Sequence, residues 1–159
     1  MLISVYSKKE IESLETQSKI KNKHILLSIS DTKDTLPNIP INNNRIGTFY
    51  MFFDDIEADE VAKPYQLFHK LQAESLLVYI DGMLEKHPEI AEIVIECTTG
   101  GARSSGMGYA LEKILNNKSI SLLSAMNIGV YNTLIAAYYD NKNKEVEYPQ
   151  IAKLRKVSV

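Results

Sequence analysis

Between Ala91 and Leu115 the chain changes its hydrophobic rhythm at a single point, and no other stretch constrains the fold as much. Ala91 to Glu96 (AEIVIE) sets Ile93, Val94 and Ile95 side by side, the pattern of a strand covered on both faces of an α/β sheet. From Gly106 to Leu115, Met107, Ala110, Leu111, Ile114 and Leu115 fall at helical spacing, and Asn116-Asn117 ends the helix. Between the two lies CTTGGARSSGM. A glycine-containing turn from a buried strand into a helix is where an α/β sheet places an anion, because the helix N-terminus offers free N–H groups and a positive partial charge.

The rest of the chain alternates in the same way. Leu2 to Tyr6 reads as a strand, followed by a charged, helix-favouring stretch with Ile11 and Leu14 three apart. His24 to Ser30 is a second strand, closed by DTKDTLPNIPINNN, where Pro37, Pro40 and the run Asn42-Asn43-Asn44 forbid regular structure. Ile46 to Phe53 is rich in aromatic and branched residues, as a buried strand is, and ends at the acidic, exposed DDIEADE. From Pro64, which suits a first helical turn, Ala73, Leu76, Leu77, Ile80 and Leu84 predict a helix that stops near Lys86. A last helix runs from about Ile128 to Tyr139. Residues 1–140 then form one α/β domain with a largely parallel central sheet flanked by helices on both faces, and 141–159 reads as a C-terminal surface extension with at most one edge strand. A chain of 159 residues, 45% apolar, can bury one core of this kind.

The loop carries the chemistry. Cys97 and Arg103 give Cys-x5-Arg with Gly100 and Gly101 between them. Thr98, Thr99, Gly100, Gly101 and Ala102 can curl so that their N–H groups form a nest sized for a tetrahedral anion, with the glycines removing side chains that would block the curl. Arg103 at the exit supplies two parallel N–H bonds to a phosphate. The same N–H groups favour thiolate at Cys97, and Ser104 can hydrogen-bond the sulfur or cap the helix. The plainer reading, a core Cys97 and a solvated Arg103, explains neither the glycines nor the arginine.

The stretch IVIECTTGGARSSGMGYALEKIL resembles the signature loop and following helix of the protein tyrosine and dual-specificity phosphatase superfamily, His-Cys-x-x-Gly-x-x-Arg-Ser/Thr, which Cys97, Gly100, Arg103 and Ser104 match. With SISDTKDTLP, FFDDI and NIGVYNTLIAA, the resemblance extends over roughly residues 1–140, to small phosphatase-like proteins of bacteria and their phages. It implies a tyrosine-phosphatase-like fold and a phosphocysteine intermediate: Cys97 attacks phosphorus, Arg103 steadies the equatorial oxygens, and an aspartic acid protonates the leaving oxygen. The family's His before the Cys is Glu96 here. Its carboxylate either faces the sulfur, where it opposes thiolate, or points across the strand to the other side of the sheet.

The resemblance places the proton donor in the acidic loop after the third strand, among Asp54, Asp55, Glu57, Asp59 and Glu60, with Asp55 the first choice and Asp54 the second. In the plainer reading these are solvated turn and helix-start acids. Asp31 and Asp34 are weaker candidates, and Asn127 has a sufficient role as a helix N-cap. His69 and His87 read as helix-surface and helix-end residues, Tyr138-Tyr139 as packing, and Phe49, Tyr50, Phe52 and Phe53 as core, with room for one of these rings to line the pocket mouth.

A formal net charge of −2 leaves no broad basic field for nucleic acid or an anionic membrane, so an anion must be held locally. MLISVYSKKEIESLE lacks the pattern of a signal peptide, and one lone cysteine suits a reducing compartment, so a cytoplasmic location is expected. One Cys with His only at 24, 69 and 87 lacks zinc-ligand spacing, and the chemistry read here calls for no metal or cofactor. The leading function is therefore a phosphatase acting on a phosphate monoester, in a phosphorylated protein (phosphotyrosine) or a small phosphorylated ligand. The alternative is a catalytically inactive module that binds a phosphorylated or anionic partner. A sulfur-transferring or arsenate-reducing relative is disfavoured by the loop length and by the lack of a second Cys to resolve an oxidised intermediate.

Overall fold

The computed structural model describes residues 1–55, 66–118, 126–140 and 147–157. Its centre is a four-stranded sheet in the order β1-β4-β2-β3, with β1 Leu2–Ser7, β2 His24–Ser30, β3 Arg45–Phe52 and β4 Glu92–Cys97, every pair parallel. The central positions fall to β2 and β4, whose residues are all buried, as their uninterrupted apolar runs require. Their side chains alternate between two cores. Ile25, Leu27, Ile29, Ile93, Ile95 and Cys97 meet the larger one, under α3 (Lys70–Lys86), α4 (Ala102–Asn116) and α5 (Ile128–Tyr139). Leu26 and Val94 meet the smaller one with Ile11 and Ile20, from α1 (Lys8–Ile11) and the end of α2 (Leu14–Lys19). This is the predicted α/β arrangement, a parallel sheet with helices on both faces.

Three expectations change. Ile46 to Phe53 is not a buried strand: β3 lies at the sheet edge, Met51 is its one fully buried residue, and Tyr50 is exposed. Aromatic and branched residues fit a half-covered pleated surface as well as a fully covered one. The long helix begins at Lys70, not near Pro64, which lies outside the described residues. Gln66 exchanges backbone and side-chain bonds with Asp54, tying this segment beside the end of β3, and His69 then caps the helix by accepting at Nδ1 from the Gln72 N–H (3.4 Å). So His69 is exposed at the helix surface, as expected, and stands at its N-cap.

The tail is also corrected within 147–157. It forms helix α6 (Pro149–Val157), and Tyr148 and Ile151 are wholly buried in the main core. Asp81 of α3 accepts the Gln150 and Ile151 N–H groups (2.8 and 2.9 Å), capping α6 from another helix, while Arg155 lies over the Tyr138 and Tyr139 rings. Nine residues with little apolar periodicity are helical here because of these tertiary partners, which sequence spacing does not display.

Candidate active site

Parallel strands bring their carboxyl ends to one edge, and the register sets Cys97 of β4 beside Ser7 of β1 and Ile29 of β2. The chain turns from Cys97 into α4 over four residues. Gly100 makes that turn possible: its φ is +68°, and a Cβ on it would lie 2.6 Å from the Ser7 nitrogen. The loop is partly tied to itself, with the Gly100 N–H bonded to the Cys97 carbonyl (3.1 Å) and the Gly101 N–H to Thr99 Oγ1 (3.3 Å). These two amides are therefore not free to line a nest, as the sequence suggested. The donors left at the head of α4 are first-turn N–H groups of the kind a helix does not satisfy itself, from Ala102 onward.

Cys97 is completely buried, its Sγ 3.1 Å from Ser104 Oγ, and the Ser104 hydroxyl also reaches the Gly101 carbonyl at 3.3 Å. Ser104 has one proton to give. With a neutral thiol, S–H donates to Ser104 Oγ and the hydroxyl donates to Gly101. With a thiolate, the hydroxyl turns to the sulfur.

Arg103, on the first turn of α4, is only 3% exposed. Its Nη1 donates to Asp31 Oδ1 and to the Phe53 carbonyl (2.8 Å), and its Nη2 donates to Thr98 Oγ1 (3.2 Å). Its Nε has no hydrogen-bond partner among the described residues, and Asp55 Oδ2 stands 3.9 Å away. A guanidinium offers Nε–H and one Nη2 N–H as a parallel pair along one edge. Here the opposite corner, Nη1, is filled by protein acceptors, and among the described residues the Nε–Nη2 edge has donor capacity left.

Asp55 comes to this edge from the end of β3, and its Oδ1 accepts from Asn127 Nδ2 at 3.2 Å. Asn127 Oδ1 meanwhile accepts the Val130 N–H (3.1 Å), so one side chain caps α5 and holds Asp55. Asp54 instead accepts the Gln66 N–H (2.7 Å). Of the other acids considered, Asp34 sits exposed in the 3-10 turn Lys33–Thr35, and Glu57, Asp59 and Glu60 lie outside the described residues.

Glu96 takes the second of its two possible directions. Its carboxylate lies on the α1 side of the sheet and accepts from Ser28 Oγ, while Cys97 joins the core on the opposite face. Burial pushes the Glu96 carboxyl above its ordinary value, against the Ser28 hydrogen bond and the charges of Lys8 and Arg103, which favour the anion. Two residues gain a place that sequence reasoning did not give them. Asp31 is the partner of Arg103, and Asn127 is the partner of Asp55. For Asp31 the available signal was its position just past a central parallel strand, the edge where such sheets collect functional groups.

Fold and loop together define an α/β domain with a buried thiol and a half-satisfied arginine at the carboxyl edge of a parallel sheet. Among solved structures the chain is similar to human DUSP28, at 11% identity over 98% of this chain and 92% of that one with a TM-score of 0.43, and to a point variant of the same human protein, at 11% identity, 98% and 90% coverage and a TM-score of 0.44. No protein-family model and no curated protein matches the sequence. Among the described residues, no helix is long and apolar enough to cross a membrane.

Proposed function

We propose that this chain is a cysteine-dependent phosphatase of the small bacterial or phage kind, hydrolysing a phosphate monoester on phosphotyrosine or another phosphorylated ligand. The observation that carries the reading is the Nε–Nη2 edge of the buried Arg103, left with donor capacity in the loop that starts at Cys97. A phosphate accepts two parallel bonds there and further bonds from the first-turn amides of α4. Cys97 Sγ then forms the S–P bond as the ester P–O bond breaks, and Asp55 gives its proton to the departing oxygen. Water attacks phosphorus next, the S–P bond breaks, and Asp55, now a carboxylate, takes a proton from that water. Ser104 donates to the thiolate each time it is released.

The complete burial of Cys97 favours a second reading, a module that binds a phosphorylated partner without turnover. Incubation with a chromogenic phosphate ester, with and without vanadate, separates the two. Turnover that vanadate blocks supports the enzyme, and vanadate binding without turnover supports the module. Arg103→Lys, which keeps charge but loses the two-pronged edge, abolishes binding and turnover in either case.

A further inference from the structure

The structure assigns Asp31 as a positioning residue for the anion site: it fixes which edge of the Arg103 guanidinium faces the substrate phosphate. This rests on the phosphate-site reading above. The ends of two strands build the clamp. The Phe53 N–H donates to the Ser30 carbonyl at 3.1 Å, which brings the residue after β3 level with the residue after β2. Phe53 then offers its carbonyl, and Asp31, next to Ser30, its Oδ1, to the same Arg103 nitrogen, Nη1. Nη1 carries two protons and has two acceptors, so that corner is saturated. Thr98 Oγ1 takes one Nη2 proton, which leaves Nε–H and one Nη2 proton without a partner among the described residues. A guanidinium rotated about its long axis would turn its filled corner toward the loop instead. Asp31 and the Phe53 carbonyl hold it from doing so, and of the two only Asp31 can be removed by substitution.

The charge of Asp31 makes this testable, because positioning and simple electrostatics predict opposite signs. Deleting a carboxylate near an anion site should tighten anion binding by Coulomb's law. If Asp31 orients Arg103, deleting it should loosen binding instead. The experiment measures vanadate affinity, and kcat and KM for a chromogenic phosphate ester, in the full-length wild type, Asp31→Ala and Asp31→Asn. Expected for Asp31→Ala are vanadate affinity weaker by about tenfold and kcat lower by roughly 10- to 100-fold, the scale of a misplaced catalytic contact. Asp31→Asn keeps an acceptor oxygen without the charge, and recovers a large part of both losses. The assignment is overturned if Asp31→Ala binds vanadate as tightly as the wild type or more tightly, or if Asp31→Asn recovers nothing. A wild type that neither binds vanadate nor turns over the ester removes the phosphate site itself, and with it this role. A wild type that does both, with variants indistinguishable from it, removes the role of Asp31 alone.

Discussion

Gly106 of α4 lies against the backbone of Asn127 so closely that a Cβ on it would come within 2.4 Å of the Asn127 carbonyl oxygen. Asn127 is the residue that holds Asp55, and its own N–H donates to the Ala102 carbonyl at 2.9 Å, so the helix bearing Arg103 and the support of Asp55 meet at this contact.

Gly106→Ala therefore strains both stability and site. The obstructing atom is backbone, which cannot rotate away, and the expected destabilisation is about 1–3 kcal/mol in urea unfolding, the usual scale of overpacking. Turnover should fall as well, because Asn127 moves with α5. Unchanged stability would show that the two helices separate freely at this point.

Asp55→Asn should lower kcat by on the order of 10² to 10⁴ for esters with poor leaving groups, and by much less for a good leaving group such as p-nitrophenolate. Asp54→Asn, which alters the tie to Gln66, should show no such dependence on the leaving group. Comparing both variants on a leaving-group series decides whether Asp55 is the proton donor.

Glu96 makes a prediction about pH. Its carboxyl is raised above the ordinary value of 4.5 by burial, so the folded state holds this proton more tightly than the unfolded chain does. The stability it contributes is present below 4.5 and is lost as pH rises through the raised value. Glu96→Gln keeps an acceptor for Ser28 and cannot ionise. The variant should match the wild type near pH 4 and exceed it near pH 8. A constant difference across this range would contradict the assignment. Because the carboxylate lies across the sheet from the sulfur, the same swap should leave turnover nearly unchanged.

The parts of this molecule legible in its sequence are those set by local periodicity. β2, β4, α4 and α5 follow from apolar runs and helical spacing, and the Cys97–Ser104 turn from its glycines and its place between strand and helix. Features set by distant partners are not legible there. β3 lies at the edge because strand order is a global property. The helix over Pro149–Val157 exists because Asp81, about seventy residues earlier, caps it. Residue type alone could propose Asp31 and Asp55 as acids. Only the meeting of three strand ends shows that one grips Nη1 of Arg103 and the other stands beside its Nε.

Whether phosphorus passes to Cys97 Sγ is decided by trapping the intermediate. Enzyme mixed with a phosphate ester is quenched in acid during turnover, digested, and the peptide containing residue 97 is examined by mass spectrometry. A phosphoryl group is expected on Cys97 in the wild type, and neither adduct nor turnover in Cys97→Ser, whose hydroxyl is similar in size but does not ionise near neutral pH. Turnover that survives in Cys97→Ser, or a wild type that hydrolyses the ester with the label on another residue, would contradict it.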